Sequence, residues 1–178
     1  MLWTPTESVS AHGEFILRCL KRHGKFYTFL RLYRHRIFTE AFQQELVELY
    51  RDSGAGKSAV LPALMAMVLL LQAYTQVSDA EAVNLPILDQ RWQMVLDCHG
   101  ATEPLYSQGT IVDFRNRMVK ADFDVRLLER TREVAFETKA FDAKKLPKNL
   151  RVAMDSSPLE GAGRVEDTTP SSQMQALF

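Results

Sequence analysis

From Leu61 to Tyr74 the chain reads LPALMAMVLLLQAY, with no charge and an apolar surface on every side of any helix it forms. A helix that is apolar all round is a buried helix. The run is too short to cross a bilayer, which takes about 20 apolar residues. It therefore predicts the central post of a helical domain. Pro62 suits the first helical turn, where its missing N–H costs nothing. After Thr75-Gln76-Val77, Ser78 and Glu81 stand at capping-box spacing and start a second helix at once. Two helices joined by a tight turn make a helix-turn-helix-like unit, a motif found in nucleic-acid binders and elsewhere.

A post of this kind needs neighbours to bury it. The 178 residues are 46% hydrophobic and 25% charged, enough for one globular core. The formal net charge is +0, which gives no global argument for nucleic acid or membrane. Its distribution is uneven. Arg18, Lys21, Arg22, Lys25, Arg31, Arg34 and Arg36 follow one another with no acid between them. From Asp155 onward, Asp155, Glu160, Glu166 and Asp167 stand against Arg164. This points to a local basic face. Cys19 and Cys98 make no disulfide framework, and the N-terminus lacks the basic start and apolar run of a secretory signal. The expected compartment is the reducing cytoplasm, with no membrane partner.

Residues 1–10 read as a polar, Pro-containing tail, and 11–142 as one helical domain. A helix over 11–22 would turn Phe15, Leu17 and Leu20 inward, with His23-Gly24 as its end. KFYTFLRLYRHRIF, residues 25–38, interleaves aromatics with arginines. One reading is an amphipathic helix with core aromatics and solvated arginines. The other is a phosphate-contacting face carrying Arg31, Arg34 and Arg36. Cys19 and His23 have i, i+4 spacing, but two further metal ligands are missing nearby. Thr39 is placed to cap a helix over 40–52 with Phe42, Leu46, Leu49 and Tyr50 on one face. SGAGKS resembles part of a phosphate loop. The motif fails because Arg51 stands where glycine is required and a helix, not a strand, precedes it.

Pro86 predicts a break, and Asp89 starts a short helix with Trp92, Val95 and Leu96 inward. CHGATEPLYSQG is a loop by composition. Ser107 or Thr110 caps the next helix, whose stripe is Ile111, Phe114 and Met118. Arg115, Arg117 and Lys120 lie off that stripe, as a solvated face or as the cations of a helix in a DNA groove. A long helix from Asp122 to about Phe141 carries Phe123, Leu127 and Val134, with Asp122–Arg126 as an i, i+4 pair. Residues 143–149 form a polar linker. Leu150 to Asp155 then alternates with period 2 and reads as a strand ending at Asp155-Ser156-Ser157-Pro158. A carboxylate there suits a Mg²⁺ ligand, but for a lone Asp the residues favour turn chemistry.

Several blocks in order carry a resemblance. They are GKSAVLPALMAMVLLLQAYTQVSDAEAV, DQRW, SQGTIVDFRNRM and RVAMDSSPLEGAGRVEDT. Over about Phe26 to Thr168 the chain resembles the N-terminal half of IS5/IS1182-type (InsH-like) bacterial insertion-sequence transposases. The resemblance implies a mainly α N-terminal region that binds the terminal inverted repeats of double-stranded DNA. It also implies the first strand of an RNase H-like DDE domain at 150–178, with Asp155 as the first Mg²⁺-binding catalytic carboxylate. Two metal ions held by such carboxylates activate the attacking oxygen and stabilise the leaving one. One carboxylate does not hold that pair. A truncated catalytic domain is therefore expected, with no cofactor on this fragment and no strand transfer by this chain alone. The DNA-facing residues expected are Arg31, Arg34, Arg36, Arg115, Arg117 and Lys120. The alternatives are an interaction protein that pairs with full-length transposase near Leu127 and Val134 and inhibits it, or the product of a decayed gene; a homodimer is the other protein partner expected.

Overall fold

The computed structural model describes residues 1–20, 24–50 and 60–141. Eight helices and no strand occur among them. These are α1 (Ala11–Leu20), α2 (Lys25–Ile37), α3 (Glu40–Glu48), α4 (Pro62–Thr75), α5 (Asp79–Leu88), α6 (Gln90–Leu96), α7 (Gln108–Lys120) and α8 (Phe123–Glu137). The expected mainly α fold is what forms. SGAGKS, His23 and everything from 142 onward, including the predicted linker, strand and Asp155, lie outside the described residues.

The apolar run forms α4, with every residue from Pro62 to Val68 buried, and Leu70 and Leu71 with them. Pro62 occupies its first turn, as the sequence predicts. The helix packs against α3, α5, α6 and α7. A helix touched on so many sides has no solvent-facing stripe, which explains its uniform composition. It ends where Gln76 turns left-handed at φ 57° and donates its amide to the Gln72 carbonyl. The Ser78–Glu81 capping box then starts α5: the Glu81 amide donates to Ser78 Oγ at 3.3 Å, and the Ser78 amide to Glu81 Oε2 at 2.9 Å.

Pro86 does not break the chain as expected, because α5 continues through it to Leu88. A proline inside a helix leaves the carbonyl four residues earlier without its amide. That carbonyl belongs to Ala82, and the Tyr106 hydroxyl donates to it at 2.9 Å. Both residues are buried, and burial pushes the Tyr106 phenol well above its usual range. The break comes instead at Asp89, whose carboxylate accepts from the Arg91 amide at 2.7 Å and caps α6.

Trp92, Val95 and Leu96 in α6 and Ile111, Phe114 and Met118 in α7 all point into the core, as their spacing predicts. Ser107 caps α7, accepting from the Thr110 amide at 3.2 Å. Thr39 precedes α3 without a side-chain cap, since its hydroxyl accepts instead from Arg130 at 2.9 Å. Phe15 was expected inward and is exposed, while Ile16 is buried in its place. The Asp122–Arg126 pair does not form. Asp122 turns left-handed before α8, and Arg126 reaches Glu45 on α3 at 2.5 Å. Gly24 is fixed by space, since a Cβ there would stand 2.1 Å from that of Leu20.

The first ten residues are not a loose tail. Trp3 is buried edge-on to Phe38, and its amide donates to Gln43 Oε1 at 2.7 Å. Gln43 returns its amide group to the carbonyls of Trp3 and Phe38, each at 3.0 Å. Among the described residues no helix is long and apolar enough to cross a membrane.

The proline–tyrosine arrangement is testable by urea unfolding. Tyr106→Phe is expected to cost about 1 kcal/mol, because the buried Ala82 carbonyl loses its donor. In a Pro86→Ala background the helix supplies its own amide, so the same change should cost much less. Equal costs in the two backgrounds would rule this account out.

Candidate nucleic-acid interface

The six cations expected to face DNA are placed in three different ways. Arg31 and Arg34 lie on the inner side of α2, only 4% and 1% exposed. Arg34 donates to the Val95 carbonyl at 2.6 Å, the Met94 carbonyl at 3.2 Å and the Thr6 carbonyl at 2.6 Å. It also stands 3.4 Å from the Asp97 carboxylate and over the Trp3 ring. Arg31 donates to the carbonyls of Glu7 and Ser8. The reading of 25–38 as core aromatics with solvated arginines is therefore half right: Tyr27, Phe29 and Leu30 are core, and so are two of the arginines. In this arrangement Arg31 and Arg34 hold the N-terminal segment to α2 and α6.

Their burial shows in their acidity. Desolvation lowers Arg34 to about 10, and the neighbouring charge of Arg31 adds to this while Asp97 opposes it. Burial raises Asp97, but the Thr6 amide at 2.7 Å and Arg34 outweigh it and leave the carboxyl below its usual range.

Arg36, Arg115 and Arg117 are nearer the surface but engaged. Arg36 pairs with Glu137 on α8 at 2.6 Å, with both side chains well exposed. Arg115 forks onto Asp79 and donates to Gln72 Oε1 at 2.9 Å, joining α7 to α5 and α4. The hydrogen bond from Arg115 holds the Asp79 carboxyl below its usual range. Arg117 donates to the Leu49 carbonyl at 3.2 Å and lies over the Tyr50 ring. Lys120 is exposed at the end of α7 and makes no ion pair among the described residues.

Sequence reasoning missed two features of this surface. The first is Arg130, which donates to the carbonyls of Arg36 and Ile37 and so closes the C-terminus of α2. The second is the outer stripe of α7, where Gln108, Asn116 and Lys120 are all exposed and Val112 lies between them. Their spacing of four puts them on one face. Their spacing of four is visible in the sequence, but uncharged amides add nothing to a charge pattern that would mark the face. Leu127 and Val134, offered as a pairing surface, are 3% and 6% exposed and packed inside the chain's own core.

Residues 18–117, more than half of the chain, match the family model described as Transposase domain (DUF772). The chain belongs to this transposase-domain family. Comparison with curated proteins and with solved structures gave no match. The matched stretch of the transposase domain runs from the end of α1 into α7 and includes Arg31, Arg34, Arg36, Arg115 and Arg117. Helix α8 lies beyond it but packs on α2 and α7. Among the described residues no three His, Cys, Asp or Glu side chains converge to hold a metal ion. Cys19 is exposed, and burial pushes the Cys98 thiol up to about 11.

Two measurements separate inner from outer cations. Arg34→Ala should destabilise the chain by about 3–5 kcal/mol in denaturant, since Asp97 and three carbonyls lose their donor together. Arg36→Ala should cost under about 1 kcal/mol, because its pair is solvated. The reverse ranking would contradict the placement. The His12–His99 contact, with ring centroids 5.6 Å apart, supplies a pH test. Burial lowers His99, and His12, Arg31 and Arg34 reinforce this against Asp97. The fold thus favours neutral His99. Stability should be full above the unfolded value of about 6.5 and fall as pH drops below it. His99→Gln should flatten that slope in unfolding curves taken between about pH 5 and 7; an unchanged slope would acquit His99.

Proposed function

We propose that this chain is the N-terminal, DNA-binding part of an IS5/IS1182-type (InsH-like) transposase and recognises the terminal inverted repeats of its element. The family match over 18–117 is the observation that carries the reading. The exposed side of α7 supports it. Asn and Gln side chains suit the edges of adenine in the major groove, and lysine suits phosphate. Gln108, Asn116 and Lys120 form that side, with Arg115 and Arg117 flanking it and Arg36 at the end of α2. Arg31 and Arg34 act from within, Arg34 by holding α2 against α6 and Arg31 by holding the N-terminal segment to α2.

On this reading the helix-turn-helix-like pair α4–α5 is scaffold. α4 is too buried to enter a groove, and α5 is fixed to α7 through Asp79. Asp155 remains the proposed first Mg²⁺ carboxylate of an RNase H-like domain, and it would help position a metal that polarises a phosphodiester. Pairing with full-length transposase loses the surface assigned to it, since Leu127 and Val134 are buried.

Gel shifts with the ends of the parent element should show preference over random duplex, weakening steeply with salt. Lys120→Ala should weaken both complexes alike and reduce the salt slope by about 1. Asn116→Ala should mainly erode the preference, by roughly tenfold if it reads a base. Equal affinity of the unaltered chain for element ends and random duplex would defeat site-specific recognition.

A further inference from the structure

We propose that the outer face of α7 selects A·T base pairs, its backbone at Gly109 coming closest to the base edges while Val112 and Val119 take thymine methyls. This rests on the DNA-binding reading and names the base pair that the same face takes.

The packing of the chain gives Gly109 no reason to be glycine. It is helical and exposed, and a Cβ there would meet Ser107 Oγ at 3.8 Å, an ordinary contact. Glycine in a helix is less favourable than alanine, and one use that offsets this is close approach of the backbone to a ligand. At about 3.6 residues per turn, Gly109 lies directly opposite the buried stripe of Ile111, Phe114 and Met118. Asn116 stands about two turns further along the same line. The outermost line of α7 is thus open at Gly109 and carries an amide at Asn116.

Two apolar side chains share one edge of this polar face. Val119 is 55% exposed and Val112, about two turns before it, is half-buried. Thymine is the base that offers an apolar group in the major groove, its C5 methyl. The adenine paired with it presents N6 and N7, which an asparagine such as Asn116 meets with two hydrogen bonds. Charge is divided to match. Asp113 is exposed near the middle of the face, where a carboxylate repels phosphate and suits the amino group of a neighbouring base. Arg115 and Arg117 lie on opposite sides of it, where a helix seated in a groove meets the two phosphate backbones. Each gives N–H groups inward, to Gln72 and Leu49, and a guanidinium carries more donors than those contacts use. Bases in the middle and phosphates at the sides are what a duplex presents to such a face.

The test selects binders for the full chain from a pool of random-sequence duplexes and sequences them. The recovered motif should hold a fixed A·T pair, which selection with Asn116→Ala should lose. Replacing the thymine of that pair by uracil removes only the methyl. It should weaken binding of the unaltered chain severalfold and leave a Val112→Ala, Val119→Ala double variant unmoved. Gly109→Ala should unfold at higher urea yet bind the motif roughly tenfold more weakly, opposite shifts that a merely structural glycine does not give. A motif without a fixed A·T pair, uracil bound as tightly as thymine, or undiminished binding by Gly109→Ala would overturn this assignment and leave DNA recognition standing. A pool from which the unaltered chain enriches no motif would overturn both readings together.

Discussion

Every helix leaves its last carbonyls without an internal partner, and a bundle of short helices multiplies that debt. Here arginines from elsewhere in the chain meet it at three of the junctions. Arg34 of α2 reaches the carbonyls of Met94 and Val95 at the end of α6. Arg130 of α8 reaches those of Arg36 and Ile37 at the end of α2. Arg117 of α7 reaches that of Leu49 at the end of α3. A cation also complements the partial negative charge at a helix C-terminus. Each bond thus does two things at once: it satisfies a carbonyl and fixes the angle between two helices. The buried post α4 can be surrounded only if its neighbours are held in this way, because an all-apolar cylinder accepts many packings.

The same arrangement explains why the fold was more legible in the sequence than the site. Apolar periodicity reports which side of a helix is inward, and it placed Ile111, Phe114, Met118, Trp92 and Leu96 correctly. Local hydrogen bonding is equally visible, as in the Ser78–Glu81 box and the Ser107 cap. What failed depended on partners distant in sequence. Pro86 looked like a break because its remedy, Tyr106, lies twenty residues on. Arg126 looked like a partner for Asp122 because Glu45 lies 81 residues away. The N-terminal ten residues looked like a tail because their anchors, Gln43, Arg34 and Asp97, belong to three other elements. A composition rule that sends arginine outward has no access to such carbonyls.

Arginine counts are therefore a poor measure of a nucleic-acid surface in this chain. Its basic run from Arg18 to Arg36 suggested a phosphate-binding face, yet two of its seven cations are inside and a third is paired with Glu137. Burying a guanidinium costs several kcal/mol unless hydrogen bonds repay it, and Arg34 obtains three from carbonyls with Asp97 close by. An arginine so engaged cannot turn outward to a phosphate without stripping α6 of its cap. The exposed polar side chains on the outer stripe of α7 carry no such commitment, and that difference is why the proposed interface centres on Gln108, Asn116 and Lys120.

The transposase-domain match and the packing also divide the molecule in an instructive way. The match ends at Arg117, one turn short of the end of α7, but α8 supplies Arg130 to α2 and Arg126 to α3. Helix α8 is therefore bound into the same body as the matched stretch. Its arginines tie α2 to α3, and its packing on α7 holds to them the helix that carries Lys120. A surface that reads DNA needs its side chains held in register with the duplex. On the proposed reading, α8 serves recognition without touching the duplex, by stiffening the frame from which α7 projects.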